Sequence, residues 1–508
     1  MTEDLPFDAP ANTPEATPAS TAVPAAPSAS RRWRSIWRVH FYAGMFAIPF
    51  LLLMALTGLI ILYTQPLRDY TQSELRTVTP VGEWVSFDTQ EQAVEARFTN
   101  SSVVSMTTPT DREHSTIFGL DNGVEVFVDP YTAEVLGRAN PDGGIVGLSN
   151  RLHGSLNNFE RMISLPTVSA LWDDGPVMRD YVIGDLILEV LGVWTLVLAI
   201  TGMFLWWPRK SVNRVRQGRG WLRIRLAKQG RARWRDLHAV SGVVLFPILV
   251  VTLISGLAWS TYWSQNFASL ANEISANEWP DAPPSGQVTK SDLDRLGNHI
   301  NWNTGDIPIP NSYATEPDGT QAAPLTLDSV IELSTLEGMK PGYSVYFPSN
   351  DVDDAGNPVY GTFTLSNSWP RKTGEARDVS LDQFTGEKVQ QVDGFGLGSV
   401  SYTLDTMVSW HMGTQWGLAS RIFMTVLCVL TIWSTCSALV MYWKRRRKGS
   451  LGLPRRPVDV RMGRRLTIVA VLLGIVFPQW AVTALIVLAL DKFVIRKVPR
   501  LRVAFGQR

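Results

Sequence analysis

Four of the six histidines in this 508-residue chain stand at the margins of long apolar runs, and they form two matching pairs. His40 opens one run in RWRSIWRVHFYAGMFAIPF, and His238 opens another in RARWRDLHAVSGVVLFPIL. His411 precedes a third in SWHMGTQWGLASRIF, and His153 lies upstream of a fourth in NRLHGSLNN. Imidazole is costly in hydrocarbon and is the commonest neutral metal ligand. One such histidine alone is usually an interfacial residue bonded to headgroups or water. Four at membrane depth, two of them at equivalent places, point to bound metal or haem. A structural zinc site wants four Cys, His or acidic ligands in one place. Two histidines at each of two membrane faces suit bis-imidazole haem better, because haem iron needs two axial ligands.

Other chemistry-bearing residues are weighed beside them. Gly44, Gly242 and Gly413 would let helices, or equally a flat porphyrin, approach closely. His114 and His299 fall among polar residues and read as solvated. Glu189 lies inside an apolar run, either as a partner facing the bundle or simply near the outer interface. Met407, Met412 and Met424 near His411 read as gap fillers. Cys428 and Cys436 stand eight apart in one apolar run, too far to bridge on a helix. No other cysteine exists, so any redox centre must use other ligands.

The elements that position these residues follow from hydropathy and charge. The mean hydropathy of +0.02 and net charge of +1 hide strong segregation along the chain. Residues 1–30 are rich in Pro, Ala, Thr and Ser and are expected to be a disordered tail, with no removable signal peptide. Four stretches have the roughly 20 apolar residues a bilayer crossing needs. They are Phe41–Tyr63, Tyr181–Trp207, Ala239–Trp263 and Leu418–Trp443, with tryptophans marking their ends. Loop 208–237 holds eleven Lys/Arg and one acid, and segment 444–465 holds ten and one. Loop 64–179 carries sixteen acids against eight bases, and 264–409 carries twenty against seven. The basic segments are therefore expected inside and the acidic loops outside, with the N-terminus cytoplasmic. The run 466–490 has basic flanks on both sides and Pro478 in its middle, so it is either a re-entrant hairpin or a kinked fifth span, followed by a basic tail, 491–508.

The two halves match: basic aromatic segment, histidine, span, outer loop, histidine, span. The expected units are 31–63, 64–179 and 180–207, then 238–263, 264–409 and 410–443. Each outer loop reads as a small α+β domain. FDTQEQAVEARF is a helix followed by the strands STIFGL and VEVFVDP and the turn into YTAEVLG. LTLDSVIELSTL is a helix followed by strands in YSVYFPS, PVYGTFTLS and ARDVSLDQFTGEKVQQV. The fold class expected is a membrane α-helical bundle carrying two extracytoplasmic α+β domains, a tandem repeat of span, domain, span.

At this point the residues carry a resemblance. RVHFYAG…LLMALTG, LHGSL…LAITGMFLWWPR, RWRDLHAVSG…LISGLAWS and WHMGTQWGLASRI…ALVMYW resemble the PepSY-associated transmembrane proteins, bacterial inner-membrane proteins linked to iron and siderophore uptake. The resemblance covers nearly all of Arg31–Arg508. It implies that the outer loops are PepSY-like domains. Members characterised as siderophore reductases bind two haems between their spans through histidines. One departure stands out: LHGSL leads quickly into the second span in that family, whereas about 25 residues intervene here.

The expected function is a di-haem inner-membrane reductase. His40 and His238 would hold one haem at the cytoplasmic side, and His153 and His411 one at the outer side. Electrons would reach a ferric siderophore or ferric chelate outside. The alternative is a non-enzymatic PepSY scaffold that binds an envelope protease or an iron-transport partner. The basic loops hug spans, where topology and anionic lipid explain them, so nucleic acid is not an expected partner. No G-x-x-x-x-G-K-[ST] or G-x-G-x-x-G motif stands in the cytoplasmic segments, so the electron donor is a quinol or a separate cytoplasmic reductase.

Overall fold

The computed structural model describes residues 28–158, 160–171, 177–207, 230–258, 260–273, 309–312, 322–352, 356–367, 371–394, 398–446, 451–453 and 464–506. Nearly all of the N-terminal tail, most of the basic loop 208–237 and His299 lie outside these residues.

The helices are α1 Ser28–Ile61, α2 Thr64–Thr71, α3 Ser73–Arg76, α4 Phe87–Arg97, α5 Gly144–Ser155, α6 Ile183–Trp206 and α7 Arg231–Leu257. They continue with α8 Thr261–Glu273, α9 Leu327–Leu336, α10 Gly398–His411, α11 Leu418–Arg445, α12 Arg464–Val476 and α13 Pro478–Leu490. Five segments are long and apolar enough to cross a membrane: Trp33–Ile61, Ile183–Trp206, Ala232–Leu257, Leu418–Arg445 and Pro478–Ile495. The first four close a ring in the order α1, α6, α7, α11, so α1 stands diagonally opposite α7. Pro49 and Pro247 sit inside α1 and α7, each nine residues past that helix's histidine. Each removes one helical hydrogen bond at the same depth.

Three boundaries differ from the sequence reading. The third span ends at Leu257, and the chain restarts as α8 at Thr261. His411 ends a helix of its own, α10, separated from α11 by a turn in which Gly413 and Gly417 adopt φ of 71° and 56°. The C-terminal run is not one straight helix. Phe477 leaves the helical region (φ −129°, ψ 78°), and Pro478 opens α13, where its missing N–H costs nothing. The chain turns sharply enough there that a Cβ on Gly474 would stand 3.2 Å from that of Ala481. The returning helix packs on α6, where Trp194 Nε1 donates to Thr483 Oγ1 at 3.1 Å.

The strands are β1 Val103–Thr107, β2 Thr116–Leu120, β3 Glu125–Val128, β4 Val135–Ala139, β5 Met162–Pro166 and β6 Met178–Val182. After them come β7 Ser344–Tyr346, β8 Asp351–Val352, β9 Pro358–Val359, β10 Thr362–Ser366, β11 Arg377–Asp382 and β12 Lys388–Asp393. Eight of these make one antiparallel sheet in the order β12-β11-β10-β7-β1-β2-β3-β4. The two long segments expected to face outward thus share one sheet instead of folding apart. The seam is β1 against β7, with Ser105 opposite Tyr346 and Thr107 opposite Ser344. A single apolar core runs beneath both halves, from Phe87, Val94 and Phe118 to Leu327, Val330 and Leu365.

Local chemistry explains how the halves meet. Ser86 and Thr326 cap α4 and α9 by accepting from the amides of Thr89 and Ser329. Each helix then borrows an acid from the other: Phe87 N donates to Asp328 Oδ1 and Leu327 N to Asp88 Oδ1, both at 2.7 Å. Burial, with Asp328 beside it, pushes the Asp88 carboxyl up. The turns agree as well. Asp129 and Asp382 each accept the amide two residues on, at 2.8 Å. The left-handed position holds Ala133 in one half (φ 57°) and Gly386 in the other (φ 73°). The residues inserted after His153 form the β5–β6 hairpin, which delivers the chain directly into α6.

Candidate functional site

His40 lies on α1 and His238 on α7, the two diagonal helices of the ring. His40 Nδ1 reaches across to α6, 3.1 Å from the Leu198 carbonyl and 3.1 Å from Thr201 Oγ1. His238 Nδ1 reaches across to α11, 3.0 Å from the Ser434 carbonyl, with Ser437 Oγ at 3.4 Å. The two imidazoles are within electrostatic reach of each other.

The second pair comes from the short helices. His153 on α5 places Nδ1 2.8 Å from Thr57 Oγ1 of α1. His411 at the end of α10 places Nδ1 2.9 Å from Ser255 Oγ of α7. Their ring centres are 6.1 Å apart and their planes cross at 77°. His40 to Thr57 and His238 to Ser255 are both steps of 17 residues. At 1.5 Å per residue, the two pairs lie roughly 25 Å apart along the helices.

The partners decide where each proton sits. A carbonyl only accepts, so Nδ1 of His40 and of His238 carries the hydrogen. Thr57 already donates to the Leu53 carbonyl at 2.7 Å, and Ser255 to that of Thr252 at 2.9 Å. Their oxygens therefore accept from the histidines too. With Nδ1 protonated, the neutral ring keeps its lone pair on Nε2. All four imidazoles are thus fixed in one tautomer. Among the described residues, no hydrogen bond reaches any of the four Nε2 atoms.

This arrangement matches what an axial ligand needs: one ring nitrogen anchored to a carbonyl or hydroxyl, the other bare. Metal–nitrogen bonds of about 2 Å on each side, with the ring radii added, place coordinating imidazoles roughly 6 Å centre to centre. The outer pair stands at that separation. Among the described residues no three His, Cys, Asp or Glu gather as a metal cluster. A pair per site is what the chain offers. The chemistry of the donor set fits haem.

Small residues accompany the anchors. A Cβ on Gly58 would meet His153 Cε1 at 3.2 Å, one on Gly202 would meet His40 Cε1 at 3.1 Å, and one on Gly256 would meet His411 Cε1 at 3.5 Å. The signal was present in the sequence as LTG, ITG, ISG and CSA near the span ends, each a hydroxyl followed by a small residue. Among the glycines singled out from the sequence, one lies at a helix–helix contact. Gly44 packs against Leu198, Gly413 makes the turn after His411, and Gly242 faces open space. His114 is not merely solvated: its Nδ1 lies 2.6 Å from Asp111 Oδ1. Met424 packs with Leu245 and Leu427, as a gap filler does. Cys428 is a free, buried thiol, and Cys436 is free and exposed.

The outer pair is also tied to the sheet. Thr373 N donates to Gln415 Oε1 at 3.1 Å, Ser409 Oγ to the Arg371 carbonyl at 3.1 Å, and Thr414 Oγ1 to the same carbonyl at 2.9 Å. Residues 371–375 lead straight into β11, so α10 and His411 are fastened to the sheet's second half.

Comparison with known proteins gives one family. The family model of the PepSY-associated TM region matches residues 37–445. It spans both histidine pairs and the sheet and ends before the C-terminal hairpin. Among curated proteins nothing matches the chain.

Proposed function

We propose that this chain, which belongs to the PepSY-associated transmembrane family and is a multi-pass membrane protein, is a di-haem reductase of a bacterial inner membrane. Its substrate is a ferric siderophore or another ferric chelate. The observation that carries the reading is the state of the histidines: four Nδ1–H groups anchored and four Nε2 lone pairs bare, in two pairs roughly 25 Å apart.

His40 and His238 hold the haem at the cytoplasmic side, and His153 and His411 the haem at the outer side. Haem bound there supplies a one-electron couple at each membrane face and so a path for electrons outward. The protein's own contribution is orientation. Leu198 and Ser434 carbonyls and the Thr57 and Ser255 hydroxyls hold the rings. Each bond also makes its imidazole a stronger donor toward iron. The Lys/Arg bias supports an N-terminus inside and the sheet outside. There the two PepSY-like halves, one repeat unit each, would hold the chelate near the outer pair, whose His411 helix the 371–375 connection ties to the sheet. Reduction to Fe(II) weakens binding by hard oxygen ligands and releases the iron.

The test is the visible spectrum and haem content of the purified chain. A strong Soret band, two haems per chain and reoxidation of the reduced protein by ferric citrate or a ferric hydroxamate are expected. Protein that folds, inserts and carries no haem would leave the scaffold reading in its place.

A further inference from the structure

Outside the histidine pairs, a buried polar cluster lies where the C-terminal hairpin meets α6. Glu189 is 2 % exposed. One of its carboxylate oxygens accepts the Trp263 backbone N–H at 3.2 Å; the other finds no well-formed hydrogen bond among the described residues. Ser260, just past the end of α7, and Gln479, just past the break in the hairpin, stand beside that carboxylate. The Gln479 amide and the Trp480 indole N–H are likewise buried without a well-formed bond. Rings close the cluster: Trp194 and Trp480 have centres 5.7 Å apart, and Trp263 and Phe477 stack at 6.0 Å.

A buried carboxylate that has only the Trp263 N–H at 3.2 Å, with Ser260 and Gln479 beside it and indoles around it, is an expensive ion, whereas the neutral acid is not. Non-helical backbone at membrane depth is tolerated where it is buried in protein or lines a cavity. The hairpin break, with Phe477 and Trp480 each only 7 % exposed, meets that condition against Glu189. The titratable groups around Glu189 are Asp185, one turn earlier on α6, Tyr181 at the end of β6, and Tyr262 on α8. The facing stretches of α7 and α13 bring no charged group among the described residues.

The cluster is also close to the outer pair. Gly184 abuts Ser155, two residues after His153, so closely that a Cβ there would fall 1.7 Å from the Ser155 carbonyl oxygen. From Gly184, Glu189 lies five residues further, roughly 7–8 Å along the helix. Three residues past Glu189, a Cβ on Gly192 would meet Leu257 Cδ2 at 3.6 Å, next to the Gly256 that faces His411, and in so weakly screening an interior a change of one charge is felt across the packed helices.

We propose that Glu189 is a redox-linked proton site, taking up one proton when the His153–His411 site gains an electron and releasing it when that electron leaves. The inference rests on the di-haem reading above. The electron comes from a quinol or a separate reductase and ends on the ferric chelate, which becomes ferrous. The proton enters from the outer side past Asp185, binds one carboxylate oxygen of Glu189, and returns the same way. Only an O–H bond forms and breaks. Gln479 is a positioning residue that accepts from the protonated carboxyl. This half of the site lies beyond residues 37–445, the part of the chain that the family model matches.

The experiment is a redox titration of the full-length haem-loaded protein at several pH values, with infrared difference spectra taken alongside. In the wild type, one of the two midpoint potentials falls as pH rises, and a protonated-carboxyl band appears on reduction. In Glu189→Gln both the slope and the band are lost; Glu189→Asp keeps the slope at a shifted position. Haem-loaded Glu189→Gln with the wild-type slope and band overturns this inference alone. A protein without haem overturns the di-haem reading and this inference with it.

Discussion

The two histidine pairs, His40–His238 and His153–His411 (inner and outer in the proposed orientation), are anchored by different means. His40 and His238 sit on spans and give their Nδ1–H to backbone carbonyls, those of Leu198 and Ser434. His153 and His411 sit on short helices beside the spans and give theirs to side-chain hydroxyls, those of Thr57 and Ser255. The inner geometry is therefore set by how the helices pack, and no single side-chain deletion removes it. The outer geometry hangs on two replaceable oxygens and on the attachment of α10 to the sheet. One pair is built into the bundle, while the other is delivered to it.

The largest test is of independence. His238→Ala is expected to remove one of two haem equivalents and leave the other, and His411→Ala to do the reverse, as read by haem quantification. Loss of both haems in each variant would break the comparison. Next come the anchors. Thr57→Val with Ser255→Ala should weaken retention of the outer haem by about tenfold to a hundredfold. Thr201→Val should do far less at the inner site, because the Leu198 carbonyl remains. Equal losses would mean that the carbonyl is not the inner anchor.

Gly58→Ala sharpens the picture further. Its methyl would meet His153 Cε1 at 3.2 Å, against an ordinary 3.5 Å for Gly256→Ala and His411. Only the first should shift the outer haem's electron paramagnetic resonance signature. Ser409→Ala removes two buried bonds between α10 and residues 371–373, the donation to the Arg371 carbonyl and the acceptance from Thr373 Oγ1, at a cost of about 1–3 kcal/mol in stability. It should disturb the outer haem and leave the inner one alone.

The smallest expected effect belongs to the sheet. Burial, with Glu95 and Asp88 nearby, pushes the Glu91 carboxyl up to about 7. A folded value above the usual 4.5 means that this group favours the folded state below that pH and that the benefit is lost as pH rises through about 7. Glu91→Gln should therefore stabilise the full-length protein at about pH 8 and leave it unchanged at about pH 4, with both haem spectra unaffected at either pH.

The sequence made legible whatever is encoded locally. Long apolar runs, Lys/Arg bias and histidines at span margins are short-range features, and so are the Asp129 and Asp382 turns. Pro478 announced a break in the last run but not the packing of Gln479 beside Glu189. The seam was illegible: VVSMT and SVY are short, carry no clear alternation and pair across a great sequence distance. The anchoring hydroxyls stood in plain view as LTG and ISG. Their role depended on which ring would arrive beside them, and only the folded bundle supplies that.

The seam has a consequence for how the protein is made. Thr107 and Ser344, whose hydroxyls meet across it at 3.0 Å, are 237 residues apart, with α6 and α7 between them. A nascent chain must produce both of those helices before β7 exists. Until then β1 is a bare edge, a template for pairing with the wrong chain. Pairings this distant close slowly. Biogenesis therefore contains an obligatory waiting period in which half a sheet stands unfinished, and crowding the membrane with new copies should penalise this protein more than one whose outer domains each fold alone.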